Sequence, residues 1–319
     1  MEREIVRLRI DLAYEGTHFY GWARQRELRT VQGEIERALC KVLHLSSPAR
    51  TAISEENFGT EAWKPQLVVA GRTDTGVHAS HQVCHLDIPH ERLAAAVGHM
   101  DAPPVLALER RIQHVVPRDI AIHSVKEAPS GFDARFSALE RTYVYRVCDD
   151  LSALDPRLRS FVLPISTRLD VDSMNQAAAT TIGLHDFGSF ATPNPGGTTI
   201  RKVKYAHWDR VPSRPLIAKA GGAAPAYETP VAEAGLVCFT IVADAFARNM
   251  VRSLVNGCLK VGTGKRSLDW FHSKIEQPVR EGSTGPIEAC GLTLEQVAYP
   301  PDNQLAIRAQ AIRAKRTLP

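Results

Sequence analysis

The chain has 319 residues, 44% hydrophobic and 23% charged, the balance of a globular protein with one large domain or two ordinary ones. No apolar run approaches the roughly 18 residues of a membrane span, and the charged start Met1-Glu2-Arg3-Glu4 runs straight into a strand pattern, so neither anchor nor signal peptide is read and a cytoplasmic location is expected. A net charge of +4 permits a nucleic-acid partner without requiring one, and six scattered cysteines with no Cys-x-x-Cys pair read as buried thiols, not as disulfides or a zinc ribbon.

In chain order, Val6, Leu8, Ile10 and Leu12 alternate with Arg7, Arg9 and Asp11, which predicts a half-buried strand. His18 to Arg26 mixes aromatics with arginines, Arg24 among them, a composition suited to bases and phosphates. Thr30 is placed to cap a helix reaching about Leu45. Residues 46–64 read as a flexible insert. Leu67 to Val69 and Gln82 to Ile88 read as strands around the turn Ala70 to Ala79. A helix is expected over 90–100, broken by Pro103-Pro104, and 115–120 is the expected domain boundary. Strands follow near 120–126 and over Arg141 to Val147, then a helix over 171–182 and a loop from His185. Strands are expected at 199–208 and 235–243, separated by a second flexible insert at 212–234. A helix over 246–261 would carry Arg248 and Arg252 on one face. A last strand near 291–299 precedes a basic, frayed tail.

Asp74 sits in a turn between Gly71 and Gly76, with Arg72 two residues before it. Turn chemistry alone explains Asp and Gly there. His78, His81, Cys84 and His85 invite a metal, but no second ligand cluster stands at zinc spacing. Gly262-Thr263-Gly264-Lys265 fails the phosphate-loop spacing and reads as a helix end capped through Gly262. What remains is a single carboxylate with arginines and aromatics in separate segments. That set suits nucleophilic catalysis on a polyanion bearing a flat ring.

Ala70-Gly71-Arg72-Thr73-Asp74-Thr75-Gly76-Val77-His78-Ala79 closely resembles the signature of the TruA family of tRNA pseudouridine synthases. Companions follow in order: Tyr14 to Thr17 with Gly21-Trp22, Thr30 to Glu34, Phe132 to Ala138 running into Tyr143, His185-Asp186-Phe187 with Ser189-Phe190, and Met250-Val251-Arg252. The resemblance implies an α+β protein of two ferredoxin-like subdomains forming one extended mixed sheet flanked by helices, with a basic cleft. The expected division is 1–117, carrying the Asp74 turn, and 118–319, carrying the Tyr143 and Arg252 motifs. It implies a homodimer acting on uridines 38, 39 and 40 of the tRNA anticodon stem-loop, with no cofactor and no metal. By motif, Asp74 is the nucleophile, Tyr143 stacks on the target base and Arg252 pairs with Asp74. Arg72 helps eject the base, and Arg24, Arg135 and Arg248 are taken as further RNA contacts. Thr75 for a usual Ala, Asp133 for a usual His and the segment Gly285 to Cys290 depart from the family pattern. Two other readings stand beside this one. One is a catalytically inactive tRNA-binding or folding protein, which the joint presence of Asp74, Tyr143 and Arg252 disfavours. The other is a zinc hydrolase built on His78, His81 and His85.

Overall fold

A computed structural model describes residues 4–45, 63–193, 197–213, 231–279 and 284–312. Both expected inserts lie largely outside these residues. In chain order the elements are β1 (Ile5–Tyr14), α1 (Val31–Val42), β2 (Leu67–Val69), β3 (His78–Pro89), α2 (His90–Ala95), α3 (Pro104–Val115), β4 (Ile120–Glu127) and β5 (Glu140–Cys148). They continue with β6 (Leu163–Pro164), α4 (Val171–Ala179), β7 (Gly183–Asp186), β8 (Ile200–Arg210) and β9 (Val237–Ala243). The chain closes with α5 (Met250–Gly262), α6 (Leu268–Glu276), β10 (Leu292–Ala298) and α7 (Leu305–Ala311). Among the described residues no helix is long and apolar enough to cross a membrane.

The protein is α+β, with mixed sheets flanked by helices, and it divides into two compact units. One runs to Arg141 and takes back the chain from Leu294; the other is Thr142–Thr293. The break therefore falls inside β5, not at 117. The physical reason is pairing: β4 lies antiparallel on β1 from Leu8↔Glu127 to Tyr14↔Ile120, so the segment after 117 belongs to the first sheet.

In the first unit the strand order is β4-β1-β3-β10, with β2 also pairing β3. Leu8, Ile10 and Leu12 of β1 are fully buried, as their alternation predicts. The Thr30 side chain accepts the Gly33 N–H at 3.3 Å and starts α1, which buries Val31, Ile35, Leu39 and Val42. Pro104 does not end a helix here. It begins α3, because at the first helical position its missing N–H costs nothing and its φ is already helical. The tail is helical over α7, with Leu305 and Ala309 buried, and the Ser137 hydroxyl donates to the Leu305 carbonyl at 3.1 Å.

In the second unit the order is β5-β9-β8-β7, with β6 parallel to β5. The expected loop at His185 is instead β7, paired antiparallel to β8 from Gly183↔Val203 to Asp186↔Ile200. Helix α5 starts at Met250, four residues later than the expected 246, because Asn249 takes a left-handed φ of 62°. At its other end the left-handed residue is Gly264, φ +69°, not Gly262. A Cβ on Gly262 would lie 2.4 Å from Met174 Sδ, so that glycine permits close packing of α5 against Met174 in α4.

A buried ion cluster closes the far end of this unit. The Asp149 carboxylate is fully enclosed and accepts from Arg210 at 2.7 and 2.8 Å, from Arg168 at 3.3 Å and from the Leu169 N–H at 2.9 Å. We predict that Asp149→Ala costs about 2–3 kcal/mol. That is less than breaking a wholly buried pair, because the partly exposed arginines regain water. Urea unfolding should show a lower midpoint with an unchanged slope; an unchanged midpoint would refute the assignment.

Candidate active site

The turn between β2 and β3 is held from several sides. The Ala70 N–H donates to the Val83 carbonyl at 2.8 Å, and Val77 N–H to the Asp74 carbonyl at 3.2 Å. Gln82 is wholly buried and donates to the Gly71 carbonyl at 2.9 Å. The Tyr14 hydroxyl meets Thr73 Oγ1 at 2.8 Å, and its burial pushes the Tyr14 pKa up to about 12, so it stays a neutral hydrogen-bonding group. The loop after β1 packs on the same turn: Trp22 N–H donates to the Thr73 carbonyl at 3.1 Å and Gly76 N–H to the Phe19 carbonyl at 3.2 Å. Gly21 has φ +83°, and a Cβ there would lie 2.8 Å from the Thr73 carbonyl oxygen. That contact explains why Gly21-Trp22 accompanies the Asp74 turn in the sequence. Of the two glycines flanking Asp74, Gly76 has positive φ (+78°) and Gly71 does not.

On this support Asp74 is half-buried, and Arg72 and Thr75 are exposed. Among the described residues of this unit, no hydrogen bond or ion pair engages the Asp74 carboxylate. The backbone of the turn is thus held by hydrogen bonds while its carboxylate is half-exposed.

The histidines near the turn are accounted for by protein contacts. His78 Nδ1 accepts from Gly16 N–H at 2.9 Å and His85 Nδ1 from Ala134 N–H at 3.0 Å. Burial pushes the His85 pKa down and keeps the ring neutral. His81 Nδ1 accepts from Val297 N–H at 3.4 Å, leaving Nε2–H to donate to Asp11 at 3.0 Å. Among the described residues no group of three or more His, Cys, Asp or Glu is arranged to hold a metal.

The segment after β4 carries Arg135. Asp133 accepts the N–H groups of Arg135 and Phe136, each at 2.8 Å, so this departure from the family pattern serves as a local cap. Arg135 is exposed, its guanidinium 5.2 Å from the Phe136 ring centre. Arg24 is paired with the buried Glu36 at 3.3 Å.

Tyr143, Arg248 and Arg252 belong to the second unit. The Tyr143 ring is buried and meets Phe246 edge-on, centroids 5.1 Å apart at 87°. Arg252 lies in the first turn of α5, half-buried, and its Nε–H donates to the Ile287 carbonyl at 2.5 Å. Asn256, one turn on, donates to the Gly285 carbonyl at 2.8 Å, so the divergent segment 285–287 docks along this helix. Arg248 precedes the helix and is exposed; the expectation that it shares a helix face with Arg252 fails because Asn249 breaks the helical path. The groups that sequence reasoning missed are Gln82, Asn256 and Arg141. Arg141 left a signal: it is a charge on the alternating apolar face of β5.

Residues 177–300 match the family profile described as tRNA pseudouridine synthase. The tRNA pseudouridine synthase A of Bifidobacterium longum (strain NCC 2705) is 62% identical over 98% of this chain and 100% of its own length. The chain belongs to the tRNA pseudouridine synthase A family. The Streptomyces avermitilis enzyme of that name is 42% identical over 98% of this chain and 95% of its own, and the Leifsonia xyli one 38% over 100% of both.

The first unit also contains a charge cluster. Burial alone would raise the Asp11 pKa, but hydrogen bonds from His81 and Arg9 outweigh it and hold Asp11 at about 2, below its ordinary 3.8. The ionised form is thus the one that stabilises the fold. Its contribution, roughly 2 kcal/mol, is fully present above pH 3.8 and is lost as pH falls towards 2. Asp11→Asn should therefore be clearly destabilised at pH 7, with the gap to the parent protein narrowing below pH 3; a gap independent of pH would contradict this.

Proposed function

We propose that the protein converts uridine to pseudouridine in tRNA, at positions 38, 39 and 40 of the anticodon stem-loop, with Asp74 as nucleophile. The observation that carries this reading is the Asp74 carboxylate, half-exposed on a turn anchored through Ala70, Gly71, Thr73 and Gly76, in a chain 62% identical to a tRNA pseudouridine synthase A. A carboxylate oxygen bonds to the target nucleoside, and the N1–C1′ bond breaks. The uracil turns, a C5–C1′ bond forms and the bond to the carboxylate oxygen breaks, which returns Asp74 as a free carboxylate. The proton lost from C5 is balanced by the one gained at N1, so the product is an isomer and the balance calls for no cofactor, redox agent or metal.

The target uridine must leave its stack to be reached, and an aromatic ring that takes the base offsets the lost stacking. Tyr143 is assigned that role, on the resemblance and on its fixed edge-on seat against Phe246. Arg252 is assigned to Asp74: with Nε tethered to the Ile287 carbonyl, its terminal amino groups remain to pair with a carboxylate and favour its ionised form. Arg72, Arg135 and Arg248 are exposed and suit phosphate contacts. Arg24 must leave Glu36 to do the same. A tRNA substrate places the enzyme in the cytoplasm, and the family resemblance favours a homodimer.

Asp74→Asn should fold, bind tRNA with near-parental affinity and release no tritium from C5-labelled uridine in tRNA. Turnover within about tenfold of the parent would exclude a covalent role for Asp74. Sedimentation at micromolar concentration should give twice the 35.1 kDa chain mass; a monomer that retains full activity would remove the dimer from the proposal.

A further inference from the structure

Resting on the reading of Asp74 as nucleophile, we propose that Arg141 is a positioning residue that fixes the Asp74 turn relative to the Arg135 segment. Arg141 is 8% exposed, on a strand face otherwise occupied by Tyr143, Tyr145 and Val147. One terminal nitrogen of its guanidinium donates to two carbonyls, that of Ala70 at 2.6 Å and that of Arg135 at 2.9 Å. Ala70 opens the turn that ends in Asp74. Arg135 stands at the tip of the Asp133-capped turn, with its side chain in solvent.

These two carbonyls belong to loops 65 residues apart in sequence, each also held on β3, and the Arg141 guanidinium bonds both directly. The Ala70 peptide is already held on its N–H side by Val83, and the next carbonyl, of Gly71, by Gln82. Arg141 adds the constraint that ties this turn to a second loop. The choice of side chain is informative. Burying a guanidinium is costly, and an apolar residue of similar volume often does as well or better for stability. A buried arginine spent on backbone carbonyls of a turn that presents a reactive group is accounted for by geometry, since small displacements of a nucleophile cost large factors in rate. Its neighbour Arg7 supplies the contrast. Arg7 also grips the Phe132 to Ala138 segment, through the Phe132 carbonyl at 2.8 Å, but its other partner is Asp87 and it makes no bond to the Asp74 turn.

The test uses full-length protein and single-turnover assays on tRNA at saturating enzyme, below the unfolding range of every variant. Arg141→Met, close in volume, should slow the chemical step by about 10- to 100-fold, the range for loss of buried hydrogen bonds from a charged donor, with tRNA Kd changed by less than about threefold. Arg141→Lys, which keeps charge and donors, should recover most of that loss. Arg7→Met should lower the melting temperature and leave the chemical step unchanged. The inference falls if Arg141→Met reacts at the parental rate, if its rate loss is matched by an equal loss of affinity, or if Arg7→Met slows the step equally. Asp74→Asn separates the two levels. If that variant still turns over, the nucleophile reading has failed. If it is inactive while Arg141→Met is fully active, only the positioning role has.

Discussion

The constraint on which this structure turns is the satisfaction of backbone carbonyls at the turn between β2 and β3. A turn that presents a reactive carboxylate cannot also use a regular ladder to pair its peptide groups, and unpaired buried carbonyls are costly. Here side chains from two strands do the pairing, Arg141 of β5 for Ala70 and Gln82 of β3 for Gly71, while Tyr14 of β1 holds the Thr73 side chain through its hydroxyl. The loop at Gly21-Trp22 closes the remaining side by pairing the Thr73 carbonyl. Each of these donors is itself enclosed, so the turn is fixed by groups that have little freedom of their own. The Asp74 carboxylate is left half-exposed on a turn whose backbone is hydrogen-bonded from several sides.

That arrangement accounts for residues whose place in the signature is otherwise opaque. Gly21 is a glycine because the Thr73 carbonyl occupies the space of its Cβ. Gly16 is one for the same reason, with the Val77 carbonyl oxygen at 2.1 Å from where a Cβ would stand. His78 reads as a supporting turn residue in the sequence, and its Nδ1 pairs the Gly16 N–H. The histidines of β3 make separate contacts, His81 with the Val297 N–H and Asp11 and His85 with the Ala134 N–H.

Periodic elements were legible in the sequence. The alternation in β1 and β5 and the apolar stripes of α1 and α5 match burial closely, since each pattern reports directly which face meets the core. What was not legible depends on backbone conformation or distant pairing. Pro104 reads as a breaker, and only its position at the helix start makes it an initiator. Asn249 carries no mark of its left-handed φ, so α5 is drawn too long and Arg248 is misplaced onto it. The unit boundary was set by β4 returning to β1, a contact between residues more than a hundred apart that no local pattern encodes. Of the candidate site, the motif residues that face solvent or substrate were readable by type. The supporting polar groups were not, because Gln82 and Arg141 look like ordinary members of strands.

The boundary inside β5 gives that strand a particular weight. Arg141 ends one unit and Thr142 begins the other, so a single continuous strand carries both the guanidinium that holds the Asp74 turn and, two residues on, the ring assigned to the target base. Residues i and i+2 of a strand project from the same face at a spacing of roughly 7 Å that the backbone itself fixes. Its two clamped ends reinforce this: Arg141 is tied to Ala70 and Arg135, and the Tyr145 hydroxyl to the Glu288 carbonyl at 2.8 Å. Tyr143 lies between those anchors, its ring edge-on to Phe246 with centroids 5.1 Å apart.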